Sequence, residues 1–299
     1  MQSMKNNKII FSADDFGKCE EMDEAILKGF ENNVLTSTCI MANGNNYDSA
    51  VNEIIPRFPI DLRQGGLGCH LNIIEGKSLI AGKNSMLCDS FGNYNKGFIY
   101  MLVNSYNKKF MHEVEAEFRS QIEKLLSDKA IGLERLDHIN SHVHTHAIPR
   151  IFELTCKLAD EYGFKNVRTQ AEPFYFADNI EKYIKMGLID SGANVIKNLL
   201  LNTFNLKNKS TLDNYDLKTN DRFIGLMFTA HMDESTILGG LKSVKHEEAV
   251  TEVLVHPYIY SPDDTKNKDK YNEYLLTQNH DLRRKIESLG FEFVSFSRL

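Results

Sequence analysis

The feature that most restricts this chain is a repeated junction, in which a short apolar run of strand length passes straight into acidic residues or histidines. Lys8 to Ala13 runs into Asp14-Asp15-Phe16-Gly17, and Gly68 to Ile74 carries His70. Leu136 to Ile139 leads into Asn140-Ser141-His142-Val143-His144-Thr145-His146. Val34 to Met41, Asn166 to Thr169, Phe223 to Ala230, Thr251 to Val255 and Phe291 to Phe296 read as further strands from their β-branched and aromatic content. Between them lie helical patterns: Met22, Ala25, Ile26 and Phe30; Met111, Val114, Phe118, Ile122 and Leu125; Ile151 to Tyr162; and Asn272 to Leu289. Strands alternating with helices predict βα units around a mostly parallel sheet or barrel, where ligands gather beyond the strand ends. No internal repeat or linker divides the chain, so the expectation is one α/β domain over 1–299. Residues 75–110 lack periodicity and hold Gly76, Gly82, Gly92 and Gly97. They read as a long excursion serving as a lid or as a contact with a second copy, since long loops in compact domains are usually functional.

Charge and cysteine content narrow the partners. A net charge of −6 and a pI near 5.9 argue against nucleic acid or an anionic membrane as the main partner. The apolar runs are far shorter than the roughly 20 residues a bilayer span needs. Met1 to Asn7 is short and polar, so the expected location is cytoplasmic. The five cysteines are odd in number, scattered and never spaced as CxxC, which fits reduced thiols.

Each polar cluster has a structural and a chemical reading. Adjacent carboxylates at Asp14 and Asp15 repel unless something positive compensates them, and Asp is also a favoured helix cap. If the chain turns there, one carboxylate can meet a metal while the other faces a substrate. His70 alone reads as well as a hydrogen-bonded core residue as a ligand. The third cluster is the strongest, with four of the chain's ten histidines between His138 and His146. In an extended segment His142, His144 and His146 share one face, and imidazole is the commonest metal-binding side chain. His256 ends an apolar strand before Pro257 and reads either as a proton donor or as a buried structural residue; His231 is placed similarly. A set of Asp and His ligands without cysteine gives mixed oxygen and nitrogen ligation with positions left open, as a catalytic site requires.

Taken in order, these motifs resemble the YdjC-like family, which includes the chitooligosaccharide deacetylases. The matching residues are Ala13 to Gly17, Leu35-Thr36-Ser37, Asn43-Gly44, Gly68-Cys69-His70, Glu117 to Gln121, Ser141 to Pro149 and His256-Pro257. The resemblance implies an irregular β/α barrel that hydrolyses N-acetyl groups of an amino sugar or short oligosaccharide. It implies that Asp15, His70 and His142 hold one divalent metal, magnesium by resemblance, with zinc, manganese or cobalt also admissible. It gives Asp14 as the general base and His256 as the acid, with His144 and His146 in the pocket or behind the ligands. One position departs from the pattern: Asn140 stands where the family usually has aspartate. Asparagine can still accept a hydrogen bond from a ligating histidine, but without the charge. Residues 179–221 match little, which leaves the sugar undetermined.

Phe174, Tyr175 and Phe176 could stack on sugar rings. The partner expected is therefore an N-acetylated sugar, with a homodimer as a further expectation. A metal-dependent phosphoesterase is a competing reading, with Arg168 as the residue to hold phosphate. A sugar-binding protein on the same scaffold, impaired by Asn140, is another.

Overall fold

A computed structural model describes residues 7–59, 66–80, 82, 84–178, 188–246, 248–259 and 267–299. Seven parallel strands form its centre: β1 (Asn7–Phe16), β2 (Ser37–Ile40), β3 (Leu67–Leu71), β4 (Leu136–Ser141), β5 (Arg222–Ile224), β6 (Val250–Val255) and β7 (Phe291–Phe293). Their order is β4-β3-β2-β1-β6-β5, with β7 paired to the first residues of β1. The two ends of this sheet are joined through residues 166–171. Ile139 donates to Asn166 and Arg168 donates back to Ile139, while Val167 donates to Lys218 and Phe223 to Ala171. The ring closes as an irregular barrel.

Alternation along β1 separates two environments. Ile9, Phe11 and Ala13 join the main core under the helices, whereas Ile10 meets Val294 and Phe296 in a small separate cluster. Continuing on the Ile10 side, Ser12 and Asp14 are buried with Glu252, His138, Asn140, His70 and Arg168. The barrel interior is therefore apolar at the end where β1 begins and polar toward the end where the strands finish.

Amphipathic helices cover the outside. The Lys108–Ser127 helix buries Val114, Phe118, Ile122 and Leu125 of the face its periodicity predicts, with Phe110 buried at its start and Met111 only half-buried. Polar residues of that helix, one turn apart, hold the chain laid across it: Glu113 and Glu117 hold the 75–110 excursion, and Gln121 holds the strand end before it. Glu113 accepts from Ser85 Oγ and the Met86 N–H at 2.9 and 2.7 Å, and Glu117 accepts from Ser78 Oγ and the Leu79 N–H at 2.5 and 3.1 Å. Gln121 exchanges hydrogen bonds with the Asn72 backbone at 2.9 and 2.6 Å. The excursion itself carries a short helix, Phe98–Asn104.

Several sequence expectations are corrected. The stretch after Ile224 leaves the sheet because Glu172 draws the N–H groups of Gly225, Leu226 and Met227 to its carboxylate. The single helix expected over Asn272 to Leu289 is two, Lys268–Thr277 and His280–Ser288, because Asn279 caps the second through the Asp281 and Leu282 N–H groups. Unread in the sequence was a 25-residue helix, Leu188–Leu212; the preceding residues 179–187 lie outside the described residues.

Candidate metal centre

The site begins where β1 loses its regular register between Ala13 and Phe16. Asp15 adopts φ 71°, a left-handed conformation uncommon for a non-glycine residue, of the kind that clusters at functional sites. This twist turns adjacent carboxylates apart. Asp15 Oδ1 reaches His142 Nδ1 at 2.7 Å and His70 Nε2 at 3.2 Å. Those residues come from the ends of β1, β3 and β4, and their ligand atoms are close enough together to hold one metal ion. The donor set fits a divalent ion, and His70 Nε2 adds a specific sign: among the described residues it is buried with only the Asp15 carboxylate near it, at 3.2 Å in poor hydrogen-bond geometry. A bare imidazole nitrogen in that position is costly unless something electrophilic meets it.

Asp14 turns the other way, toward Arg168. The guanidinium grips it through two nitrogens at 2.6 and 2.8 Å and holds Glu252 on its other side at 2.6 Å. Burial alone would raise the Asp14 carboxyl, but Arg168 holds it far below the usual carboxylate range. Asp14 is thus ionised throughout the neutral range, and is a weaker base for it. Cys39, from β2, donates its thiol hydrogen to Asp14 at 3.1 Å.

At the mouth, Lys18 bridges Asp15 and Glu75 at 3.4 and 2.7 Å, and Glu75 reaches His142 Nε2 at 3.2 Å. The hydrogen bond from His142 pulls the Glu75 carboxyl down to about 2. For Asp15, burial is overcome by His142, which holds the carboxyl well below its ordinary value. For His142 itself, burial is overcome by Asp15, which raises the imidazole to about 9.

The remaining histidines separate by role. The 142–147 segment is not extended: it is a tight turn with φ 54° at Val143 and 57° at His144. His142, His144 and His146 therefore do not share a face. His146 is held between Ser141 Oγ at 2.7 Å and the Arg168 carbonyl at 3.1 Å, which fixes the backbone carrying the guanidinium. His144 is buried edge-on against Phe223, and burial holds it well below the ordinary imidazole value. His256 lies at the end of β6 with its backbone N–H on Glu273 at 2.5 Å. Burial lowers its imidazole to about 4, against the pull of Asp15 and Asp14. Asn140 Oδ1 is 2.5 Å from His70 Nδ1, so the amide supplies the acceptor that asparagine can offer.

Arg168 is fully buried between two carboxylates, so it is not free to hold a substrate phosphate. Tyr175 is buried against Phe228, which removes it as a sugar platform, while Phe174 and Phe176 are each 62% exposed and meet edge to face. Sequence reasoning missed Glu252, Cys39, Lys18, Glu75 and Glu273. Glu252 had a visible signal, a charged residue amid Val250-Thr251 and Val253-Leu254-Val255, since an ion in a buried strand needs a partner.

Comparison with known proteins gives the chain a family. A family model described as YdjC-like protein matches residues 8–288. A carbohydrate deacetylase of Clostridium beijerinckii is 30% identical over 209 residues, covering 63% of this chain and 77% of the relative. One of Thermoanaerobacter pseudethanolicus is 26% identical over 267 residues, covering 88% and 86%. The crystal structure of an Enterococcus faecalis protein, described provisionally as a cellobiose-phosphate cleavage protein, superposes with a TM-score of 0.70 over 98% of both chains. At 21% identity that likeness is one of fold.

Proposed function

Since the chain belongs to the YdjC-like family, we propose that it is a metal-dependent hydrolase removing N-acetyl groups from an amino sugar or short oligosaccharide. The observation that carries this reading is the convergence of Asp15, His142 and the unpartnered His70 Nε2 beside an ionised, clamped Asp14. The names of the relatives, carbohydrate deacetylases, supply the substrate class.

Asp15, His70 and His142 would hold the ion, magnesium on the family resemblance, with zinc, manganese and cobalt chemically admissible. Bound there, a divalent ion supplies Lewis acidity toward an acyl oxygen and toward water. The chain's own residues do the rest. Asp14, ionised and oriented by Arg168, accepts a proton from the attacking water. His256, the acid the resemblance implies, would return to the departing amine the proton that Asp14 takes from water, since burial lowers its own imidazole to about 4; the Glu273 carboxyl lies behind it at 3.8 Å. Phe174 and Phe176 offer exposed ring faces to a sugar. The 75–110 excursion forms a wall: Glu75 starts it against His142, and its exposed Phe91, Ile99 and Val103 suit either a closing lid or a second copy. The phosphoesterase reading lacks its phosphate holder, because Arg168 is already committed to Asp14 and Glu252.

The test is acetate release from N-acetylated mono- and oligosaccharides by metal-loaded protein. Wild type is expected to release acetate, and Asp14→Asn to lose roughly 10²–10⁴-fold in rate while still binding metal. Wild-type protein with metal bound that releases no acetate from any of these sugars would count against the reading.

A further inference from the structure

Behind His70 lies a line of polar groups for which the hydrolytic reading has no use. Asp137 Oδ1 is 2.7 Å from His138 Nδ1, His138 Nε2 is 3.2 Å from Asn140 Nδ2, and Asn140 Oδ1 is 2.5 Å from His70 Nδ1. His138, Asn140 and His70 are buried to 1% exposure or less. The far end is anchored by the chain's last turn, Phe296–Arg298. Phe296 stacks on the His138 ring at 4.1 Å, and the Ser297 and Gly66 N–H groups both donate to Asp137 Oδ2, at 2.9 and 2.6 Å. Space is reserved for the ring as well: a Cβ on Gly68 would lie 2.2 Å from His138 Cε1.

Hydrogen-bond directions in this line are mutually determined. Asp137 accepts from two backbone N–H groups, so it accepts from His138 too, and the His138 proton is on Nδ1. His138 Nε2 is then an acceptor and takes an amide hydrogen from Asn140. That fixes the Asn140 flip, turning its oxygen to His70, whose proton is on Nδ1. Cys39 agrees: having donated to Asp14, its sulfur faces the same His70 Nδ1 at 2.9 Å as a second acceptor. What remains is a bare Nε2 on His70, 3.2 Å from Asp15. The reverse polarity would put protons on both nitrogens of His138 and point a His70 N–H at Asp15. That would place a charged ring at a position with no exposure to solvent, which the neutral arrangement avoids.

We infer that Asp137, His138 and Asn140, braced by Phe296 and Ser297, form a positioning relay that locks His70 in the tautomer with Nε2 bare and aimed at the ion. The inference rests on the metal reading above for its purpose, and on hydrogen-bond geometry for the tautomer. It also gives the Gly68-Cys69-His70 motif a physical reason: glycine makes room for the relay's histidine, and histidine receives its polarity.

The experiment is long-range proton–nitrogen correlation of the histidine side chains in metal-free protein, with Zn²⁺ affinity measured against a competing chelator. Wild type should show His70 protonated on Nδ1. Asn140→Leu and His138→Phe should mix the tautomers and weaken Zn²⁺ binding about 10- to 100-fold, the usual cost of losing a partner behind a ligand. Asn140→Asp keeps the acceptor and should hold the His70 tautomer, with affinity within a few-fold of wild type. A wild-type His70 protonated on Nε2 overturns the relay without any variant. So does unchanged tautomer and affinity in both Asn140→Leu and His138→Phe. Wild-type protein that binds no Zn²⁺ but shows the Nδ1 tautomer would overturn the metal reading and the relay's purpose, while the polarity stands.

Discussion

Adjacent Asp14 and Asp15 do different work because one residue between the strand and its turn takes a left-handed conformation. The expected consequence is a clean division between their variants. Asp15→Ala should lose the ion and the activity together, whereas Asp14→Asn should lose activity with metal affinity within a few-fold of wild type; metal binding and acetate release, measured on both, check this. Another carboxylate behaves oppositely. Burial pushes Asp23 up to about 7 while it holds the Gly17 N–H and the Asn46 side chain at 2.6 and 2.7 Å. Between about pH 4 and pH 7 the folded chain keeps a proton on Asp23 that the unfolded chain has released, so this contribution to stability shrinks as pH rises through that window. Urea denaturation at pH 4.5 and 7.5 should show wild type losing about 3 kcal/mol more than Asp23→Asn across that range. Equal losses would exclude Asp23 as the cause. The sequence made the Asp and His residues visible as candidates, because they interrupt apolar runs. It could not show which nitrogen or oxygen faces which, since that depends on the Asp15 twist and on partners such as Arg168 that arrive from 154 residues away.

Elements set those partners in place, and the Lys108–Ser127 helix shows how. Its apolar face was legible from periodicity, but the spacing of Glu113, Glu117 and Gln121 becomes meaningful only once the excursion is seen lying on it. Glu117 is fully buried and accepts three hydrogen bonds, including one from Gln121. Glu117→Ala should cost about 2 to 3 kcal/mol in urea denaturation and speed amide exchange at Ser78 and Leu79, with the barrel strands unaffected locally. Unchanged exchange there would show that the excursion is held by other contacts. Boundaries read from sequence failed where a side chain overrode the ladder: Glu172 lifts residues 225–227 off β5, and Asn279 splits the last helical region. The histidine-rich turn failed for a related reason, since alternating His, Val and Thr reads as a strand while Ser141 binds back to His146 and closes a turn.

For the whole molecule, a closed parallel barrel with an apolar plug at one end explains why so many ionisable groups are tolerated inside. Arg168, Asp14 and Glu252 are buried as a matched set, and the relay behind His70 leaves one nitrogen unsatisfied, at the place where the ion would enter. The α/β alternation made a parallel sheet or barrel legible and the family resemblance implied the barrel; what did not show is that residues 166–171, read in part as a strand, join the ring through isolated bridges. An ion that joins three strand ends should stabilise the fold by mass action. At a free concentration 100 times its dissociation constant the gain is about 2.7 kcal/mol, readable as a rise in Tm that a chelator reverses. The most direct test of the central claim is equilibrium metal binding to folded wild type, Asp14→Asn and Asp15→Ala side by side. One ion per chain in the first two and none in the third is the result predicted. Stoichiometric binding that survives Asp15→Ala would contradict the claim that Asp15, His70 and His142 form the metal centre.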